Sequence, residues 1–233
     1  MDRKKMKKGC LIFMLILFLL IPLLIGADCL AEPYCPLREG MVLEYQIRTM
    51  QGKTETGSFY LIRKALAPRK LNDKKVVPLQ DQKGNLLFIV EDDIGIGVYA
   101  TQTISDIEPK ILQSIDYFLK YPLKVGTTDK RSQKTVLLDE KVDVDITMTI
   151  ETLTDTVTVP AGTFENCLRI KYSGKKALKV YVPSEGTAIV EIEIFEWYAK
   201  NIGLIKSIRS EKASNLFLGW PQQRILQLVK FTK

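Results

Sequence analysis

The sequence has 233 residues and no histidine. That absence excludes a Ser-His-Asp triad, a Cys-His dyad and every imidazole metal site. Cysteine is scarce too, with four residues and no metal-site spacing among them. Residues 32–233 contain no repeat, low-complexity tract or linker, so nothing in them marks a second domain. The longest apolar run, residues 11–25, falls short of the ~20 residues a membrane-spanning helix needs, and Pro22 interrupts it.

What is present begins with a basic segment, MDRKKMKKGC, followed by that apolar run and then GADCLA. The order is that of a secretory signal peptide, with small residues Cys29 and Ala31 placing cleavage after Ala31. Two alternatives stay open: an uncleaved N-terminal anchor, and lipidation of Cys29. Residues 1–31 hold five of the 34 basic and two of the 27 acidic side chains, so the charge of +7 drops to +4 without them. So mild a balance argues against a nucleic-acid partner. It leaves contact with a membrane surface through the signal or anchor. The expected protein is exported, to the periplasm or cell envelope, with residues 32–233 as a single antiparallel β domain. Its two cysteines, Cys35 and Cys167, could form one disulfide or stand as free thiols.

Turn signals recur at short intervals through this domain, for example at Gly52-Lys53, Lys83-Gly84-Asn85 and Asn201-Ile202-Gly203. Between them lie β-branched and aromatic runs, several alternating with period two as half-buried strands do. Val190-Glu191-Ile192-Glu193-Ile194 is the cleanest. One segment, PKILQSIDYFLKY (109–121), breaks the rhythm. Its apolar residues Ile111, Leu112, Ile115, Phe118 and Leu119 recur at helical offsets, Pro109 suits a first helical position and Pro122 a stop. The expected fold is mainly β: a strongly curved, half-barrel-like antiparallel meander with one amphipathic helix at about 109–121 on its concave face.

Pro160-Ala161-Gly162 reads as a three-residue hairpin loop. Pairing Val159 with Thr163 sets Ile150 opposite Tyr172 and Glu151 opposite Lys171, a register that keeps one face apolar. The motif fixes geometry and is no reaction centre. YPLKVG (121–126), VTVPAGTFENCLRIKY (157–172) and EWYAKNIGLIKS (196–207) resemble, in that order, a family of uncharacterised exported bacterial proteins. Its members share a PL-x-x-G segment, a VPAGTF hairpin and a WYA-x-x-x-G-L strand pair. The resemblance implies an envelope domain of unknown function, often tethered as a lipoprotein, with a curved sheet similar to lipoprotein carriers. It implies no established activity. The chain departs from the pattern where an aromatic often follows PL-x-x-G, and Asp129 lies nearby.

Candidate chemistry is thin. Asp92-Asp93 and Asp139-Glu140 are adjacent acids that read as turn residues. Asp143 with Asp145, and Glu191 with Glu193, share strand faces. Each pair could serve glycoside hydrolysis or calcium binding, yet reads better as a solvated face. Gly95 and Gly97 lack the helix start and third glycine of a phosphate loop, and suit a strand with a bulge or tight bend. Ile111, Ile115, Phe118, Leu119, Phe195, Trp197 and Tyr198 either pack the sheet or line an apolar pocket. Together these residues predict a non-enzymatic envelope protein without a cofactor or metal. It would bind an apolar small molecule, a lipid-like ligand or another envelope protein. A structural component assembling through sheet edges is the alternative, and a carboxylate-dependent enzyme the third reading. Oligomeric state is left open.

Overall fold

The structure, a computed structural model, describes residues 34–35, 37–137, 142–180, 186–215 and 218–232. The signal segment 1–31, with its cleavage, anchor and lipidation alternatives, and the pair Asp139-Glu140 lie outside the described residues.

Strands dominate, as the β-branched runs dictate. They are β1 (Val42–Gln51), β2 (Thr54–Ala65), β3 (Arg69–Leu71), β4 (Lys74–Asp81), β5 (Leu86–Asp92), β6 (Gly95–Gln102) and β7 (Lys110–Lys120). Next come β8 (Thr128–Lys134), β9 (Asp143–Val159), β10 (Gly162–Val180), β11 (Gly186–Ala199), β12 (Gly203–Ala213) and β13 (Gln222–Thr232). All belong to one antiparallel sheet in the order β7-β6-β5-β4-β2-β1-β13-β12-β11-β10-β9-β8, with β3 beside β4. The sheet is curved and not closed. Its two ends, β7 and β8, are neighbours in sequence.

Alternation places the core on one face. Val144, Ile146, Met148 and Ile150 of β9 are buried, as are Val190, Ile192, Ile194 and Tyr198 of β11, and Leu228 of β13. Each such aliphatic side chain contributes ~1.5–3 kcal/mol on burial. β5 is the exception to alternation and shows why its run LLFIV does not alternate. Leu87 and Ile89 join this main core, while Phe88 and Val90 fill a second cluster with Val76 and Ala100. Arg69 covers that cluster, its guanidinium carbon 4.8 Å from the Phe88 ring centre.

The helix expected over 109–121 is corrected: the segment is strand β7. Ala100 stands opposite Ile111 and Val98 opposite Asp116, so residues 112–115 face the single Tyr99. A second bulge follows between the Gly97–Tyr117 and Ile96–Leu119 pairs. Inserted residues shift the phase of the alternation. Apolar side chains then recur at offsets 0, 1, 4, 7 and 8 on a strand, which imitates a helix. Gly95 and Gly97 of the facing strand admit the close approach; a Cβ on Gly97 would lie 2.8 Å from the Tyr117 Cα.

The hairpin differs in register. Val159 faces Gly162, so the loop is the two residues Pro160-Ala161, and the Ala161 amide donates to the Leu228 carbonyl of β13 at 3.1 Å. Irregularities between Phe164 and Ile170 shift the pairing, with Asn166 in the left-handed region at φ 54°. Ile150 therefore faces Ile170, and Met148 faces Tyr172. The charge pairs change with it: Arg169 meets Glu151 at 2.9 Å and Asp155 at 3.1 Å, and Lys171 meets Glu193 on β11 at 2.8 Å.

Candidate functional site

The two ends of the sheet approach each other without a hydrogen-bonded ladder. Near the link between them, Lys120 of β7 and Asp129 of β8 form an ion pair at 2.8 Å. Beyond it the edges enclose a cleft of about 410 Å³. One wall is Ile115 to Phe118 of β7, the other Lys130 to Gln133 of β8, and the floor is Tyr172, Ile194, Glu196 and Tyr198 from β10 and β11. Floor residues come from the core face, so the seam exposes part of that face between the two edges.

Glu196 is the acid in that interior row: Val190, Ile192, Ile194, Glu196 and Tyr198 share one parity of β11. The Tyr198 hydroxyl donates to its Oε2 at 2.8 Å, and the Tyr172 hydroxyl donates to the same oxygen at 3.2 Å. Burial raises the Glu196 pKa above its ordinary value, against the two hydroxyls and the nearby Arg131 charge. The same burial pushes both tyrosines well above theirs. Arg131 lies over Tyr172, its guanidinium carbon 5.8 Å from the ring centre. Its Nε is 3.5 Å from Asp129 Oδ2, too far for a good hydrogen bond. Its Nε and Nη2 are buried and have no hydrogen-bond partner. Buried donors are nearly always satisfied; among the described residues Arg169 Nε is in the same condition, but it has Glu151 at 2.9 Å, whereas Arg131 has no carboxylate that close.

A larger groove of about 660 Å³ crosses β10 to β13, lined by Lys175, Glu191, Glu193, Lys212 and Gln223 among others. Here the charges are matched. Glu191 takes Lys175 at 2.6 Å and Lys212 at 3.0 Å, and these lysines hold its carboxyl below the ordinary range. Glu211, 2% exposed, accepts from Thr135 Oγ1 at 2.6 Å, the Val136 amide at 2.9 Å and Arg209 Nε at 2.5 Å. That acid ties the segment after β8 to β12.

The residues singled out from sequence scatter. Ile115, Phe118 and Tyr198 meet at the seam. Leu119 is buried in the core and Ile111 is exposed. Phe195 and Trp197 lie on the opposite parity of β11, their ring centres 6.0 Å apart, with Lys171 and Lys206 over them. The Trp197 Nε1 donates to Asp155 at 2.8 Å. Asp92 is a turn acid, accepting from the Ile94 amide at 3.0 Å and the Tyr117 hydroxyl at 2.7 Å. Asp143 and Asp145 are exposed.

Of the two alternatives left open for Cys35 and Cys167, a disulfide or free thiols, the structure has the second. The Tyr34 hydroxyl, not Cys35, turns toward the Cys167 side and donates to the Asn166 carbonyl at 3.2 Å. The Cys35 thiol sits near Glu91 and Arg63 instead, where burial pushes it up to about 12. Among the described residues no group of three or more Cys, Asp or Glu side chains could hold a metal. Arg131 and Glu196 were missed from sequence. The signal for Glu196 was an acid on the apolar parity of IEIFEWY; Arg131, on a polar strand, gave none.

Comparison with known proteins supports a family likeness over part of the chain. A family model described as DUF3108-like matches residues 120–217. No curated protein matches. A solved protein from Bacteroides fragilis, described as exported and with a YmcC-like fold, has 19% identity and a TM-score of 0.40, covering 84% of this chain and 97% of its own. Another from Parabacteroides distasonis, described as a lipoprotein, has 18% identity and a TM-score of 0.42, covering 85% and 98%. The chain is thus similar to an uncharacterised family and to these two bacterial proteins.

Proposed function

We propose that this is an exported, non-enzymatic domain of the bacterial envelope that binds an amphipathic ligand in the seam between β7 and β8. The observation that carries the reading is the seam itself, a cleft of about 410 Å³ between the sheet ends. Its volume falls within the ~300–1,000 Å³ usual for ligand pockets. Its floor combines Ile194 with the polar ends of Tyr172, Glu196 and Tyr198, and its wall combines Phe118 with Arg131. Such a mixture suits a molecule with a polar end and an apolar body. Export is supported by the N-terminal pattern of basic segment, apolar run and small-residue exit. The three motifs at 121–126, 157–172 and 196–207 all fall inside the stretch matched by the family model, which supports the likeness first seen in them.

Titration of the delipidated protein with a fluorescent fatty-acid probe tests the ligand reading. Saturable binding at one probe per chain is expected, abolished by Phe118→Asp. No saturable binding overturns it. Mass spectrometry of the protein purified from envelope fractions tests export, with Glu32 the expected first residue of a processed chain.

A second reading, assembly through an open edge, is favoured by β2. It pairs with β4 only at Arg63–Asp81, Lys64–Gln80 and Ala65–Leu79. Further out, the Gln82 side chain bonds the edge, accepting from the Ile62 amide and donating to the Tyr60 carbonyl, both at 3.0 Å. Phe59 and Tyr60 are about half exposed there. Unprotected edges invite pairing, so light scattering decides: a monomer at high concentration removes this reading.

A further inference from the structure

We infer that Arg131 is the anion receptor of the seam and that the ligand presents a carboxylate to it, side-on. The inference deepens the seam reading above and rests on it. Two of the three guanidinium nitrogens, Nε and Nη2, are buried without a hydrogen-bond partner. They form one edge of the guanidinium plane, and that edge offers two parallel N–H donors spaced for the two oxygens of a carboxylate. The nearest candidate inside the protein is Asp129, but its Oδ2 is drawn to Lys120 at 2.8 Å and stays 3.5 Å from Arg131 Nε. Glu196 does not occupy the fork, since among the described residues no ion pair joins it to Arg131, and both of its hydrogen bonds run to tyrosines. Beneath the guanidinium the Tyr172 ring supplies a flat support. The fork is therefore held in place with one carboxylate, Asp129, at ion-pair distance but with no hydrogen bond made to either nitrogen. A buried cation left in that condition costs stability, and a ligand carboxylate is the group that restores its bonds. Because Asp116, Asp129 and Glu196 share the cleft, bulk positive charge does not explain the selection. The fork geometry does.

The experiment compares decanoate with decan-1-ol by calorimetric titration of the full chain. The expected result is that decanoate binds at least ~10-fold tighter, as a charge-assisted bidentate contact implies. Arg131→Gln should bring decanoate down to the level of the alcohol and leave the alcohol unchanged. Arg131→Lys should fail to restore the difference, because an ammonium keeps the charge and loses the fork. Equal binding of the two probes to the unaltered protein overturns the carboxylate assignment and leaves the seam reading standing. Binding of neither probe overturns the seam reading, and this inference with it. Full rescue by Arg131→Lys also overturns the fork. Should the variants fail to fold, the ratio measured in the unaltered protein decides.

Discussion

Two clefts indent the same sheet, and the larger is the less informative. In the groove over β10 to β13 each carboxylate has its cation: Glu191 has two lysines and Glu193 has Lys171. The seam between β7 and β8 is smaller, yet it contains a guanidinium with two idle donors and an acid raised by burial. Size measures how a sheet coils. Unspent bonding capacity measures what a surface still has to do.

The contrast can be broken most forcefully at Glu211, which borders the groove and is buried with three donors around it. Glu211→Ala should cost ~3–5 kcal/mol, as removal of one partner of a buried ion pair does, read as a lower urea midpoint. At the seam the sign should reverse. Arg131→Met removes a cation whose ion pair, to Asp129, is long at 3.5 Å, so stability should hold or rise by ~1 kcal/mol while carboxylate binding disappears. A clear loss of stability there would show that Arg131 is structural.

A gentler test uses pH. In the unfolded chain the Glu196 carboxyl titrates near its ordinary 4.5, whereas burial raises it in the fold. Between those two values the folded state keeps a proton that the unfolded state has released. Stability therefore falls as pH rises through that window. Glu196→Gln should lack this fall and gain on the parent protein as pH increases, measured by urea midpoints at several acidic to neutral pH values. The smallest effect belongs to the groove's surface pairs. Lys212→Ala leaves Glu191 with Lys175, and the midpoint should stay where it was, since exposed pairs contribute little.

Much of the sheet was legible because alternation has a physical cause: a half-buried strand must put every second residue in the core. Val190 to Ile194 shows it, and the structure buries Val190, Ile192 and Ile194 while Glu193 stays exposed. β7 was misread because bulges are invisible to a periodicity count. Four residues against one changes the phase, and the sequence does not reveal the partner strand that would expose the mismatch. The VPAGTF register failed first in the turn, where Val159 pairs with Gly162 and not with Thr163, and then at the pairing irregularities between Phe164 and Ile170, which no periodicity count reveals. At the site, three aromatic or aliphatic positions were found through their apolarity. Arg131 lay hidden because a charged residue on a polar strand looks solvated until the opposite end of the sheet is brought beside it.

The position of β13 has one more consequence. It lies between β1 and β12, and in the strand order nothing else joins the half that runs from β7 to β1 with the half that runs from β12 to β8. A chain cut short before Gln222 would retain two separate ribbons, and the cleft walls would belong to different ones. The eleven residues of β13, Gln222–Thr232, are thus the clasp of the whole sheet.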